Sequence, residues 1–150
     1  MKIKSSYITL TAAILGLATC FSFFTGCGAD ESKQEFRIAF VTNQIADFWN
    51  IAKAGCRDGA KDFGVSVEVK MPTERSATLQ KQIVEDLISS GIQAIAISPL
   101  DADNQTQWLN SVAAKLPLIT HDSDAPQSNR VSYVGMDNYK AGRMCGELVK

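Results

Sequence analysis

Arg37-Ile38-Ala39-Phe40-Val41 is an apolar run of strand length, and it opens a repeating pattern of strands and helices. A predicted helix follows, in which apolar residues recur with a period near 3.6 residues from about Phe48 to Phe63. Gly64 marks its end. A second strand, Val65-Ser66-Val67-Glu68-Val69, comes directly afterwards. This strand–helix–strand order is typical of parallel strands that are joined by a right-handed crossover.

The same alternation continues along the chain and predicts a sheet of five parallel strands. Strands one and three are apolar almost throughout, as central strands buried on both faces are, whereas strand two alternates valine with Ser66 and Glu68. Strand five alternates more weakly, so we expect strands two and five at the edges. The sequence therefore predicts an α/β fold, a doubly wound parallel sheet with strand order 2-1-3-4-5. The other predicted elements are, in chain order, a helix through Leu79, Ile83, Val84, Leu87 and Ile88 that Gly91 closes, a strand at 94–97, a helix over about 104–114, strands at 118–120 and 131–134, and a helix that begins near Tyr139.

Two of the predicted helices have a clear apolar face. In the first helix, the face expected to pack on the sheet consists of Phe48, Ile51, Ala52, Cys56, Ala60 and Phe63. In the last helix, it consists of Ala141, Met144, Cys145 and Leu148. The last helix shows no C-cap signal and no following strand before Lys150, which indicates that the sequence is a piece of a longer protein.

The N-terminal segment resembles an export signal rather than a part of the fold. Two lysines within the first four residues precede a long uncharged apolar run. This run ends in Phe24-Thr25-Gly26-Cys27, which resembles a bacterial lipobox, in which small residues precede a lipidated cysteine. We predict a lipoprotein signal peptide at 1–26, a linker at 27–35 and an exported domain, periplasmic or at the cell surface, that a lipid on Cys27 anchors to the membrane. Ordinary cleavage nearby and a retained membrane span are the alternatives.

Composition and charge argue against several classes of partner. The 150 residues suffice for about one domain, and 45% of them are apolar, as in ordinary globular proteins. Fifteen basic residues against 16 acidic residues leave no basic excess for nucleic-acid binding. A single histidine and the lack of a Cys-x-x-Cys pair give no support to a metal site. Export would permit a disulfide between Cys56 and Cys145, but we expect two unpaired, buried thiols.

The carboxyl ends of the predicted strands are the place where a parallel sheet binds its ligands. The turn after strand one has no glycine between Thr42 and Trp49, so it lacks both the dinucleotide fingerprint and the phosphate-binding loop. The sequence therefore predicts no nucleotide cofactor. His121-Asp122-Ser123 contains the residue types of a hydrolase triad, but adjacent residues of an extended segment point in alternating directions. No catalytic residue is predicted.

The loops after strands one and four suit a neutral polyhydroxylated molecule. A sugar has a C–H face that stacks on an aromatic ring and hydroxyls that donate to carboxylates. Phe48 and Trp49 would supply the ring. The hydrogen bonds would come from Asn43, Asp47 and Asp122. Structural alternatives stay open, since Phe48 would also pack beneath the first helix, Asp47 would cap that helix and Asp122 would close a turn.

Three stretches, each weak alone, match one known family as an ordered set. They are residues 37–55, which include Asp47-Phe48-Trp49, residues 97–101, and residues 117–143, which include His121-Asp122-Ser123-Asp124. Together they resemble type I periplasmic sugar-binding proteins, the ribose- and galactose-binding class that serves ABC importers. The resemblance covers about 36–150 and implies the N-terminal lobe of a two-lobed clamp, with the second lobe outside this sequence.

The resemblance also implies roles for particular residues. In the family, aromatic side chains after the first strand stack on the sugar, and an aspartate after the fourth strand accepts its hydroxyls. These roles would carry over to Phe48, Trp49 and Asp122. Ribose-binding members usually have an arginine directly after that aspartate. This sequence has Ser123 there, which stays a candidate contact and leaves ribose specificity open.

The predicted function is therefore capture of a monosaccharide-like sugar, without catalysis, for presentation to the permease of an ABC importer. A sugar-sensing receptor lobe that feeds a chemotaxis or two-component partner is one alternative, and an exported hydrolase is another. A sugar-responsive repressor of related fold is a weaker alternative, because it would need an N-terminal helix-turn-helix where this chain has an apolar segment.

Overall fold

The computed structural model describes residues 35–150, which contain one five-stranded parallel sheet. Its strand order is β2-β1-β3-β4-β5, so the predicted topology is confirmed. The strands are β1 (Arg37–Val41), β2 (Ser66–Lys70), β3 (Ala94–Ile97), β4 (Leu118–His121) and β5 (Ser132–Val134). The helices are α1 (Asp47–Phe63), α2 (Ala77–Ser89), α3 (Ala102–Ala113) and α4 (Asn138–Leu148). The predicted signal peptide and Cys27 lie outside the described residues, as does the linker apart from Glu35.

The main core lies between one face of the sheet and helices α2 and α3. Parallel pairing places Ala39 beside Ile95 and Val41 beside Ile97, so the two central strands contribute neighbouring side chains to it. Burial of each large aliphatic side chain is worth roughly 1.5–3 kcal/mol, which is what holds both helices on the sheet. The principal buried residues are Ala39, Val41, Ile95, Ile97 and Leu118 from the strands, Val84 and Leu87 from α2, and Leu109 and Val112 from α3.

Two glycines end helices in the left-handed conformation, as the sequence predicts. Gly64 follows α1 with a φ of 63°, and Gly91 follows α2 with a φ of 86°. The amide of Gly91 donates to the carbonyl of Ile88, and the amide of Ile92 donates to that of Leu87, both at 3.1 Å. This is the Schellman arrangement, in which a residue with positive φ lets the chain satisfy the last carbonyls of the helix.

The predicted inner face of α1 is wrong for its three largest members. Phe48, Ile51 and Phe63 are 61%, 75% and 82% exposed. The large residue that α1 buries is Trp49, which is only 4% exposed. Trp49 starts a stripe at spacings of three and four residues that faces the sheet. Phe48 and Ile51 each lie one position before a member of this stripe, and Phe63 is the last residue of the helix. The other members of that stripe, all half-buried, are Ala52, Cys56 and Ala60.

The predicted burial of the apolar face of α4 is also wrong. No residue of α4 is buried, and Met144 and Leu148 are largely exposed. Cys56 is half-buried, Cys145 is exposed and neither forms a disulfide, so the expectation of two buried thiols fails at Cys145. Periodicity predicts an amphipathic helix, but burial also requires an opposing surface, and no part of residues 35–150 covers this one. Within these residues, no helix has the length and apolar character needed to cross a bilayer.

Candidate functional site

Asn43, Ser98 and Asp122, here called the edge cluster, meet at the carboxyl edge of the sheet. They follow β1, β3 and β4, which are neighbours in the observed strand order. Asn43 Nδ2 donates to Ser98 Oγ at 3.3 Å and to Asp122 Oδ2 at 3.4 Å. Ser98 Oγ donates to the same carboxylate oxygen at 3.1 Å. Asp122 stays exposed, so its carboxylate is both oriented by neutral donors and open to a ligand.

A buried pair of glutamines lies beneath the edge cluster and fixes two of its loops. Gln80 Nε2 donates to the carbonyls of Thr42 and Ser98, at 3.0 and 2.8 Å. Gln105 Nε2 donates to Gln80 Oε1 at 2.9 Å, and its own Oε1 accepts two backbone amides of the loop after β3. Buried polar groups are costly without partners, so this network ties helices α2 and α3 to the chain beside Asn43 and Ser98. Neither glutamine is among the residues that the sequence predicts for the site.

The backbone of Asp122 is unusual. In the described part of the chain, it is the only residue other than glycine with a positive φ, which is 59°. A side chain in this region costs roughly 1–2 kcal/mol, so neighbouring groups must hold it. The amide of Asp122 donates to the carbonyl of Val134 at 3.1 Å, and its carbonyl accepts from Tyr133 Oη at 2.8 Å.

An ion pair closes the loop between β4 and β5, close to Asp122. Arg130 Nη2 donates to Asp124 Oδ2 at 2.7 Å, and Thr120 Oγ1 donates to Asp124 Oδ1 at 2.6 Å. The hydrogen bond from Arg130 is the main reason that the pKa of Asp124 is lowered from its ordinary value. The loop is therefore fixed at both ends, which brings β5 beside β4.

An apolar pocket of about 520 Å³ opens beside Asp122, on the side of the sheet that α1 covers. Asp122 is the only charged residue that lines it. A pocket with this lining suits a ligand that has an apolar face and at least one hydrogen-bond donor. The lining residues that matter here are Phe40, Phe48, Trp49, His121, Asp122 and Met136.

The two aromatic residues predicted to stack on a ligand have different environments. Trp49 is buried, with its ring edge-on to Phe40 at a centroid distance of 6.1 Å and to His121 at 5.5 Å. Phe48 packs edge-on against Trp49 at 4.9 Å but keeps most of its surface exposed. Phe48 is therefore the ring that a ligand can reach most readily, and Trp49 supports it from below.

His121 is a buried neutral side chain in the wall of the pocket. Its ring stacks on Phe40 at a centroid distance of 3.9 Å, and its Nε2 is buried without a hydrogen-bond partner. Burial lowers the pKa of His121 to about 4. Because Nε2 contacts no hydroxyl, His121 and Ser123 do not form the nucleophile–base pair of a hydrolase. No three His, Cys, Asp or Glu side chains within residues 35–150 are grouped as metal ligands.

The structure brings four of the six predicted ligand contacts together at the pocket or the edge cluster, and two lie elsewhere. Asp47 is exposed in the first turn of α1, away from the pocket lining. It does not cap that helix either, because Ala46 is the N-cap and no side chain bonds there. Ser123 is half-buried in the loop after β4, also outside the pocket lining. The residues that come together are Asn43, Phe48, Trp49 and Asp122.

Comparison with known proteins gives one consistent result. Residues 38–150 match the family model described as a periplasmic binding protein domain. The ribose import binding protein of Bacillus subtilis is 29% identical over 120 residues, which are 79% of this chain and 39% of that protein. The chain thus spans about two-fifths of the length of this curated relative.

Solved structures agree with the sequence relatives. A solute-binding protein of an ABC transporter from Burkholderia graminis, crystallised with D-arabinose, superposes with a TM-score of 0.71 at 28% identity. The match covers 76% of this chain and 40% of that one. The arabinose-binding protein AraP from Geobacillus stearothermophilus gives 0.70 at 28% identity, over 77% and 40% of the two chains. With the strand order and the family match over residues 38–150, the chain belongs to the periplasmic binding protein family.

Proposed function

We propose that the chain forms the N-terminal lobe of an exported, lipid-anchored solute-binding protein that captures a neutral monosaccharide-like sugar for an ABC importer. The observation that carries the proposal is the oriented Asp122 carboxylate at the carboxyl edge of the sheet, beside the exposed ring of Phe48. The protein binds its ligand and does not transform it. A second lobe would close over the sugar by a hinge motion and present it to the permease.

The chemistry of the lining supports a neutral sugar. Sugar hydroxyls would donate to the Asp122 carboxylate. Hydrogen bonds from Asn43 and Ser98 to Oδ2 already orient this carboxylate. The C–H face of the ring would stack on Phe48, with Trp49 beneath it. A carboxylate without a neighbouring cation in the pocket lining would repel phosphorylated or acidic sugars. The names of the relatives, which refer to ribose and arabinose, support the same class of ligand.

A titration with two matched variants tests the proposal. The full chain is titrated with D-ribose, D-arabinose and D-galactose and followed by NMR. We expect millimolar dissociation constants, because one lobe contacts only one side of the ligand. Phe48→Ala should abolish binding, whereas Phe63→Ala, at the other end of the same helix and also exposed, should leave it unchanged.

Three results would contradict the proposed function. Micromolar binding by this chain alone would contradict a half-site, and equal binding by both phenylalanine variants would contradict stacking on Phe48. Turnover of glycosides or sugar esters that disappears in His121→Ala would favour the exported hydrolase instead.

A further inference from the structure

We infer that Tyr133 is a positioning residue of the candidate sugar site. Its hydroxyl holds the carbonyl of Asp122, and Gly135 makes the room that its ring needs to do so. The inference rests on the proposed function, because Asp122 matters as the acceptor of sugar hydroxyls. Tyr133 and Gly135 are here called the clip.

The direction of the Asp122 carboxylate depends on its backbone conformation. Asp122 is the first residue after β4, and its φ of 59° departs from the strand. Successive side chains of a strand point to opposite faces, so an extended Asp122 would direct its carboxylate away from its present position. The hydrogen bonds from Asn43 and Ser98 to Oδ2 are formed with Asp122 in this left-handed conformation.

Tyr133 holds this conformation from the neighbouring strand, β5. Left-handed backbone is disfavoured for residues with a Cβ, so Asp122 needs external bonds to stay there. Its amide is tied to Val134 at 3.1 Å, and its carbonyl is tied to Tyr133 Oη at 2.8 Å. Both ends of the disfavoured residue are therefore fixed to β5. The Tyr133 hydroxyl lies 3.5 Å from the carbonyl of Met136, which is a much weaker contact.

Gly135, two residues after Tyr133, leaves space for the tyrosine ring. Its φ is not in the positive region, so its backbone does not require a glycine. A Cβ at this position would, however, overlap the hydroxyl oxygen and ring carbons of Tyr133. The tyrosine ring therefore explains why this position has a glycine, since the ring occupies the space that a Cβ would need. Tyr133 is absent from the main core, so its hydroxyl bond is its most specific interaction.

The experiment uses isotope-labelled full chain and NMR reporters of the Asp122 backbone. In the Tyr133→Phe variant, the intraresidue HN–Hα NOE of Asp122, which is strong at positive φ, should weaken. The three-bond HN–Hα coupling should move toward the value for extended backbone. Exchange of the Asp122 amide should become roughly fivefold faster, as expected for the loss of one hydrogen bond. The side-chain amide of Asn43 should shift.

Two further variants separate positioning from general stability. Tyr139→Phe removes the same hydroxyl from an exposed tyrosine of α4 and should change none of the Asp122 reporters. Gly135→Ala should reproduce the signature of Tyr133→Phe. The same substitution in a Tyr133→Ala background should add nothing, since no ring remains to be displaced.

Two results would overturn the inference. One is an unchanged NOE and coupling at Asp122 in folded Tyr133→Phe, and the other is an equal effect of Gly135→Ala with and without the tyrosine ring. Titration with D-ribose and D-arabinose distinguishes this failure from failure of the proposed function. If neither sugar binds but the Asp122 reporters respond as expected, the role of the clip is supported and the proposed sugar ligand is wrong. If a sugar binds wild type, Tyr133→Phe should weaken it about tenfold, and unchanged affinity would contradict the clip.

Discussion

At the scale of single residues, Asp122 combines a functional carboxylate with a disfavoured backbone, and substitution can separate the two. Asp122→Gly and Asp122→Ala both remove the carboxylate, but only glycine adopts a φ of 59° without steric cost. We expect the glycine variant to have the larger free energy of unfolding, by about 1 kcal/mol. Urea unfolding followed by tryptophan fluorescence measures the difference. An alanine variant of equal or greater stability would show that the position is not left-handed in solution.

His121 should make folding stability depend on pH. Its pKa is lowered by burial from 6.5 to about 4, so between these values the unfolded chain binds a proton that the folded chain does not. The contribution is fully present above pH 6.5 and is lost as pH falls toward 4, by about 3 kcal/mol in all. Asp124, whose pKa is lowered from 3.8, loses its contribution only at lower pH.

The control for this pH dependence is His121→Leu, which removes the titrating group and fills the same apolar environment. Urea midpoints at pH 7 and pH 5 should differ clearly in the wild type and much less in His121→Leu. If the urea midpoint changed equally with pH in both proteins, a group other than His121 would cause the pH dependence.

Two of the predicted ligand contacts, Asn43 and Asp122, lie in loops that follow strands. Asn43 and Asp122 could be placed at one edge because strand order alone brings β1 and β4 close together. Ser98 follows β3 in the same way, but a lone serine there carries no distinctive chemical signal. Gln80 and Gln105 were not found because a polar residue on a helix is ordinarily solvent-facing, and only tertiary structure shows that these two are buried.

At the scale of elements, Gln80 joins α2 to the ends of β1 and β3. Gln80→Leu conserves most of the volume but leaves the carbonyls of Thr42 and Ser98 and the amide of Gln105 without their partner. We expect the free energy of unfolding to fall by about 3 kcal/mol, because each unsatisfied buried group costs roughly 1–3 kcal/mol. Gln82→Leu, an exposed glutamine on the same helix, should stay within about 0.5 kcal/mol of wild type.

Urea unfolding curves with complete folded and unfolded baselines measure the difference in unfolding free energy between Gln80→Leu and Gln82→Leu. If Gln80→Leu were as stable as Gln82→Leu, the glutamine network would contribute nothing to the loops of the edge cluster. The sugar titration of Gln80→Leu is a second readout, since displaced loops should also weaken binding.

Helix faces show where sequence periodicity is insufficient. For α1, the predicted face combines the exposed Phe48 and Ile51 with the half-buried Ala52, Cys56 and Ala60, whereas the large residue that packs inward is Trp49. For α4, the predicted apolar face has no covering surface among residues 35–150. The strand order is predicted better than the helix faces. The central strands β1 and β3 are apolar almost throughout and the edge strand β2 alternates, and this difference in composition indicates the order of the sheet.

At the scale of the whole molecule, the proposed attachment to the membrane depends on a single residue, Cys27. A lipobox cysteine is lipidated and becomes the new N-terminus, so the lipid would hold the domain at the membrane. Cys27→Ser should lose incorporation of a palmitate analogue and move the protein from the membrane fraction to the released fraction of an expressing bacterium. Cys145→Ser, which removes an exposed cysteine of α4, should change neither. Labelling that persists in Cys27→Ser, or that is lost in Cys145→Ser, would place the lipid elsewhere and contradict the lipoprotein assignment.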